Sequence, residues 1–155
     1  MNVIFLEPGF PANQREFVRA LDAIGARVHG IGDRPYDWLD DETKGRLASW
    51  RHVHSLKDEG ALEHAVREAQ NEVWIDRLEC TIEAHVMAAA HVRERTGIPG
   101  TSSRTAWLCR DKPAMKEALR AAGVPCAASA GVNAVADARA FADDVGYPLI
   151  LKPRD

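Results

Sequence analysis

Cysteine, basic charge and long apolar runs are all scarce in this chain, and each shortage removes a class of protein. The three cysteines, Cys80, Cys109 and Cys126, stand 29 and 17 positions apart with no Cys-x-x-Cys pair. An odd set of scattered thiols builds no disulfide framework and suits a reducing cytosol. Lys and Arg number 20 against 23 Asp and Glu, a net charge of −3, which withholds the basic footprint that nucleic-acid binding calls for. The richest apolar stretch, Val86–Val92, is broken by His91 and is far too short to span a bilayer. Residues 1–10 carry Glu7 and no basic side chain, so no secretory leader is expected there. The dinucleotide fingerprint Gly-x-Gly-x-x-Gly is missing after the first apolar run; Glu7-Pro8-Gly9 reads as a simple turn. What remains is an ordinary globular composition, 46% hydrophobic and 28% charged, expected in the cytoplasm with neither nucleic acid nor membrane as partner. At 155 residues there is room for one domain, or for a small domain plus part of another.

The pattern of the first hundred residues is βα alternation. Val3–Leu6 is an unbroken apolar run, as in a strand buried on both faces. Phe17, Ala20, Leu21 and Ile24 recur at helical spacing, with Gly25 at the stop, and Arg27–Ile31 makes a second strand. Residues 34–49 are polar and read as loop with about one helical turn; His52-Val53-His54 reads as a third strand edge. Leu62, Ala65, Val66 and Ala69 mark a helix, Val73–Ile75 a strand, and Ile82, Val86, Ala89 and Ala90 the next helix. Glu79 and Glu83 read as acidic caps at its start. Such alternation predicts a doubly wound parallel sheet of Rossmann-like α/β type.

A recurring punctuation follows: Gly97-Ile98-Pro99, Gly123-Val124-Pro125 and Gly146-Tyr147-Pro148. Each sets a glycine at a helix terminus, an apolar residue able to pack back, and a proline that forbids continuation. With Asp111 and Asn133 as N-caps, residues 111–155 read as helix, strand, helix, strand, the last strand being Leu149–Lys152. The boundary between domains is expected in Gly100–Ser103, giving units 1–102 and 103–155.

Two lysines stand out in this second part. Lys112 follows the cap Asp111 in Cys109-Arg110-Asp111-Lys112-Pro113, and Lys152 ends the run Leu149-Ile150-Leu151 forty positions on (152 − 112). Alone, each reads as a solvated lysine or an ordinary strand end. Set between two Gly-x-Pro stops, these segments resemble the first third of the ATP-binding lobe of the ATP-grasp enzymes, the superfamily of biotin carboxylase and the carboxylate–amine ligases. The resemblance rests on specific motifs over residues 100–155 and on pattern alone over 1–100, which would be the Rossmann-like pre-ATP-grasp domain. It implies that Lys112 and Lys152 contact the phosphates of ATP, lysine being a flexible point charge suited to phosphoryl oxygens, and that the second unit is an incomplete α+β ATP-grasp subdomain. It further implies ATP and Mg²⁺ as cofactors, with a carboxylate activated as acyl phosphate for attack by an amine or thiol. The metal ligands and glycine-rich loop would lie beyond Asp155, so no metal site and no catalytic residue is assigned in this chain, which is expected to be inactive alone. Small-molecule carboxylate and amine substrates follow from the same resemblance, and a homodimer is one assembly the family allows. Two other readings stay open: a non-catalytic Rossmann-like module that binds a ligand or partner, and a small nucleotide-sugar or dinucleotide enzyme, which the missing glycine fingerprint opposes.

Overall fold

The computed structural model describes residues 1–153, which divide into two compact units, Met1–Ser103 and one from Arg104 onward. The first unit is built on β1 (Asn2–Leu6), β2 (Arg27–Gly32), β3 (Leu47–His52) and β4 (Arg77–Glu79). All pair in parallel, in the order β3-β2-β1-β4. Successive side chains of a strand point to opposite faces, and this sheet buries both. Phe5 and Val28 face Val18 of α1 (Gln14–Ala23), and α2 (Asp41–Arg46) lies alongside α1 through the ion pair Arg19–Glu42 at 3.0 Å. Ile4, Leu6, Ile31 and Leu78 face the other way, onto Leu62, Ala65, Val66 and Ala69 of α3 (Glu59–Glu72) and Ala88, Ala89 and Val92 of α4 (Val86–Thr96). The chain therefore winds out to β3 on one side of β1 and returns to β4 on the other, as the alternating pattern predicts.

Three elements of this unit sit elsewhere than expected. The third strand is Leu47–His52, not His52–His54, and residues 34–49 hold a 3-10 turn (Tyr36–Trp38) and α2 as well as its start. As an edge strand with a bulge against Val28/His29 it has no fully buried residue, so it shows no apolar run. The fourth strand is Arg77–Glu79, four residues past Val73–Ile75: Val73 ends α3 and packs half-buried against the core, Trp74 is exposed, and Ile75 is buried in the core. Leu78 alone marks β4 in sequence, and its register is fixed by Asn2, whose N–H donates to Asp76 Oδ2 at 2.7 Å. The helix expected from Ile82 begins as a 3-10 turn (Glu83–His85) before Val86, and Glu79 is the end of β4 rather than a cap.

The second unit carries α5 (Ser103–Arg110), not expected from the sequence, then α6 (Lys112–Ala121) and α7 (Val135–Val145). Asp111 caps α6, accepting from Ala114 N–H at 2.9 Å. At α7 the cap is not Asn133: Asp137 Oδ2 reaches back to the N–H groups of Asn133 and Ala134 at 2.9 and 3.0 Å. All three Gly-x-Pro stops end helices with glycine at positive φ, 69°, 73° and 80°. Only Ile98 packs back into a core; Val124 and Tyr147 are exposed. Neither expected strand of this unit forms among the described residues: 124–132 and 147–153 are not paired into a sheet, and Ile150 and Leu151 are exposed. A strand needs a neighbour for its backbone groups, and none of the described segments supplies one.

Stability in the first unit rests partly on its caps. Asp58 accepts from Ala61 N–H at 3.0 Å at the start of α3. Asp58→Ala should cost about 1 kcal/mol, and Asp58→Asn much less, read from urea denaturation; equal losses in both would show that the cap bond contributes nothing.

Candidate functional site

In open α/β sheets ligands bind outside the carboxyl ends of the strands, where the winding reverses. Here that point lies between β1 and β4. Glu7, the first residue after β1, still donates its N–H to Ile31 O at 2.8 Å but adopts φ 51°, a left-handed conformation that costs a non-glycine residue about 1–2 kcal/mol. Its side chain is 2% exposed. Oε2 accepts from Asp33 N–H at 3.2 Å, while Oε1 is buried with no partner among the described residues. Gly32 makes room for this carboxylate, since a Cβ there would lie 3.1 Å from Oε2, whereas a Cβ on Gly9 would stand in ordinary contact with Oε1 at 3.9 Å and clash with Leu39 Cδ2 at 2.4 Å. Gly9 thus serves close packing, not phosphate approach. Burial lifts the Glu7 carboxyl to about 7, against the opposing pull of the Asp33 N–H bond and the nearby Arg34 charge.

The loops from β2 and β4 complete the crevice. Asp33 Oδ2 accepts from Leu56 N–H at 3.2 Å. Arg34 makes no ion pair with another described residue; its guanidinium lies 3.8 Å from the centroid of the exposed Phe10 ring and 5.9 Å from that of Trp38. From the β4 side, Thr81 donates to Oε1 of the buried Gln14 at 2.6 Å, tying that loop to the first turn of α1. His85 is 8% exposed with Nδ1 unpartnered; burial holds its pKa below the usual value, although the Asp33 charge favours the proton. Cys80, next to β4, has its thiol pushed up to about 11 by burial, so it is not a nucleophile at neutral pH. Among the described residues no group of three or more His, Cys, Asp or Glu is placed to hold a metal ion.

The two lysines singled out by sequence lie in the second unit. Lys112 opens α6 and Lys152 lies in the extended segment after α7; both are exposed, and neither makes an ion pair with another described residue. In the same unit a groove of about 220 Å³ is lined by Val135, Ala138, Arg139, Tyr147, Leu149 and Leu151. Sequence reasoning missed Glu7 as a site residue. The available signal was an acid set directly at the end of a fully apolar strand, where a solvated turn would not hold it.

Comparison with known proteins gives the chain its place. No protein-family model matches it. It is 32% identical to the alanine–anticapsin ligase of Bacillus subtilis (strain 168) over 105 residues, 67% of this chain and 22% of that protein. Over 78 residues it is 33% identical to an L-arginine-specific L-amino acid ligase of Bacillus subtilis, covering 50% of this chain and 19% of that one. Its fold matches the crystal structure of N5-carboxyaminoimidazole synthetase from Staphylococcus aureus complexed with ADP, with a TM-score of 0.69 at 17% identity over 95% of this chain and 36% of that chain. The chain spans about a fifth of the length of the curated relatives it matches. No described helix is long and apolar enough to cross a membrane. The chain belongs to the ATP-grasp superfamily, whose N-terminal part it matches.

Proposed function

We propose that the chain is part of a cytoplasmic ligase that uses ATP to activate a small-molecule carboxylate as an acyl phosphate for attack by an amine. The observation that carries this reading is the similarity to ligases that act on alanine and arginine; the solved relative complexed with ADP supports the nucleotide. Residues 1–102 are the pre-ATP-grasp domain in this reading, and 103–155 begin the nucleotide lobe. Lys112 and Lys152 fit the triphosphate because both are exposed and free of carboxylate partners among the described residues, so their charge is available to phosphoryl oxygens. The Mg²⁺ that the family implies finds no ligand set among the described residues. Phosphoryl transfer depends on positioning and on neutralising the transferred charge, and two lysines supply only part of that. Residues 1–155 alone are therefore expected to bind ATP weakly and to turn none over.

Calorimetric titration of ATP into the chain tests this. Lys112→Ala and Lys152→Ala should each weaken binding by about tenfold, roughly 1.4 kcal/mol, with a marked loss on raising salt. Unchanged affinity in both variants would remove the lysines from the nucleotide site, and turnover lost on either substitution would overturn the inactivity of the chain alone.

A further inference from the structure

We propose that Glu7 is a pH-sensitive latch for residues 9–13, the segment between β1 and α1. As the neutral acid it lies buried with that segment closed over it; as the carboxylate it turns to water and the segment lifts. The geometry of the closed state carries this. The Glu7 side chain is 2% exposed, yet its Oε1 has no hydrogen-bond partner among the described residues. Oε2 accepts from Asp33 N–H at 3.2 Å, which sets a second acid beside it. No described Lys, Arg or His forms an ion pair with it. The backbone holds φ 51°, so closure is kept against local strain. A buried carboxyl without a paired cation and next to another acid is stable only as the neutral form. Once the proton leaves, a bare charge sits under cover, and lifting the cover solvates it without unfolding the sheet.

The cover is thin. Residues 10–13 are exposed, between the buried Pro8 and Gln14, and two contacts hold them down. Leu39 packs on Gly9, and the Arg34 guanidinium lies 3.8 Å from the centroid of the Phe10 ring. The charged groups around Glu7 are Asp33 and Arg34, both from the segment after β2. Beyond Asp33 stand His85, from the turn before α4, and Lys57, from the segment before α3. Leu39 and, across Gly32, Trp50 of β3 bring no charge. Arg34 favours the carboxylate but bonds to neither oxygen, so it does not make the buried charge stable. Burial raises the carboxyl from 4.5 to about 7, against the pull of the Asp33 N–H bond, and both states are therefore accessible near neutrality. Access to the carboxyl end of β1 then depends on pH, whatever the chain ligates.

Amide hydrogen exchange of the 155-residue chain, resolved by NMR and corrected for its intrinsic dependence on hydroxide, tests the latch. The probe is Asp33 N–H, whose acceptor is Glu7, and the reference is Val66 N–H on the buried face of α3. In the wild type the opening ratio at Asp33 should rise roughly 50- to 100-fold between pH 5 and pH 8, steepest near pH 6 and levelling off above 7. It should exceed the ratio at Val66 at every pH. Glu7→Gln should flatten the profile. Phe10→Ala, which removes the ring over Arg34, should raise the ratio about two- to fivefold at every pH and keep the slope. Should Glu7→Gln fail to fold, Asp33→Asn carries the test: without the neighbouring acid the rise should level off at lower pH. Equal ratios at Asp33 and Val66 would mean that Glu7 meets water only when the whole unit unfolds, and would overturn the latch. So would a wild-type ratio independent of pH, or a Glu7→Gln profile as steep as that of the wild type.

Discussion

Glu7→Gln should reshape the dependence of stability on pH, with a shift of about 2–3 kcal/mol between pH 5 and pH 8. The Glu7 carboxyl is raised by burial from 4.5 to about 7, so the folded state holds its proton more tightly than the unfolded chain does. Its contribution is therefore complete below about 4.5, falls as pH rises between the two values, and is gone above 7; each pH unit in that window is worth about 1.4 kcal/mol. His29 and His85 work the other way. Burial lowers both, so their charging opposes folding at acid pH, and that opposition fades as pH rises through 6.5. The slope of the wild-type protein mixes these effects. The difference between wild type and Glu7→Gln isolates the carboxyl: urea midpoints at pH 5 and pH 8 should show the variant gaining on the wild type as pH rises. Parallel profiles would mean that Glu7 is not held as a near-neutral acid, and would weaken its place in the crevice. A variant more stable than the parent at pH 8 would also fit a residue retained for function at some cost to folding.

Arg93→Met should destabilise the first unit by about 3 kcal/mol at any pH near neutrality. Arg93 is 5% exposed on α4. Its Nη1 donates to Leu78 O at 2.6 Å, and Nε and Nη2 donate to Thr101 O at 3.3 and 3.2 Å, joining the backbone of β4 to the segment that follows Gly100. A Cβ on Gly100 would lie 2.7 Å from Arg93 Cδ, so the glycine leaves space for the guanidinium to lie there. Hydrogen bonds from a charged donor are worth roughly 1.5–3 kcal/mol, and methionine fills much of the volume while leaving the carbonyls unpaired. Arg93→Lys, which keeps the charge but not the planar fork, should recover only part of the loss. Denaturation showing Met and wild type alike would mean that the two carbonyls find other donors.

Much of this fold was legible because its strongest signals are cumulative. Val3–Leu6 is apolar at every position, and Leu62, Ala65, Val66 and Ala69 repeat at helical spacing, so β1 and α3 leave no alternative. Glycine followed by a residue and proline marks helix ends by sterics alone, and all three such ends hold. Failure came where a single residue or a distant partner decides. Leu78 is the only buried residue of β4, flanked by Arg77 and Glu79, and local apolarity pointed instead to Val73–Ile75. Pairing cannot be read from Leu149–Lys152 itself, since an apolar run becomes a strand only beside another. The site divides in the same way. Lys112 and Lys152 were found through the spacing of a frame, which needs no tertiary contact, whereas Glu7 becomes conspicuous only once Gly9, Gly32 and Asp33 surround it.

The central position of β1 also orders events during synthesis. Val3 pairs with Val28 on one side and with Arg77 on the other, so the last of these contacts spans 74 positions (77 − 3). A ribosome adding roughly 5–20 residues per second needs on the order of 4–15 s to cover that distance. Through that interval β1 has one edge bare, and parallel pairing at such separation is slow in any case. A nascent chain arrested shortly before Leu78 should accordingly be captured by chaperones and cut by proteases, and one extended past Thr96, with α4 released, should resist both.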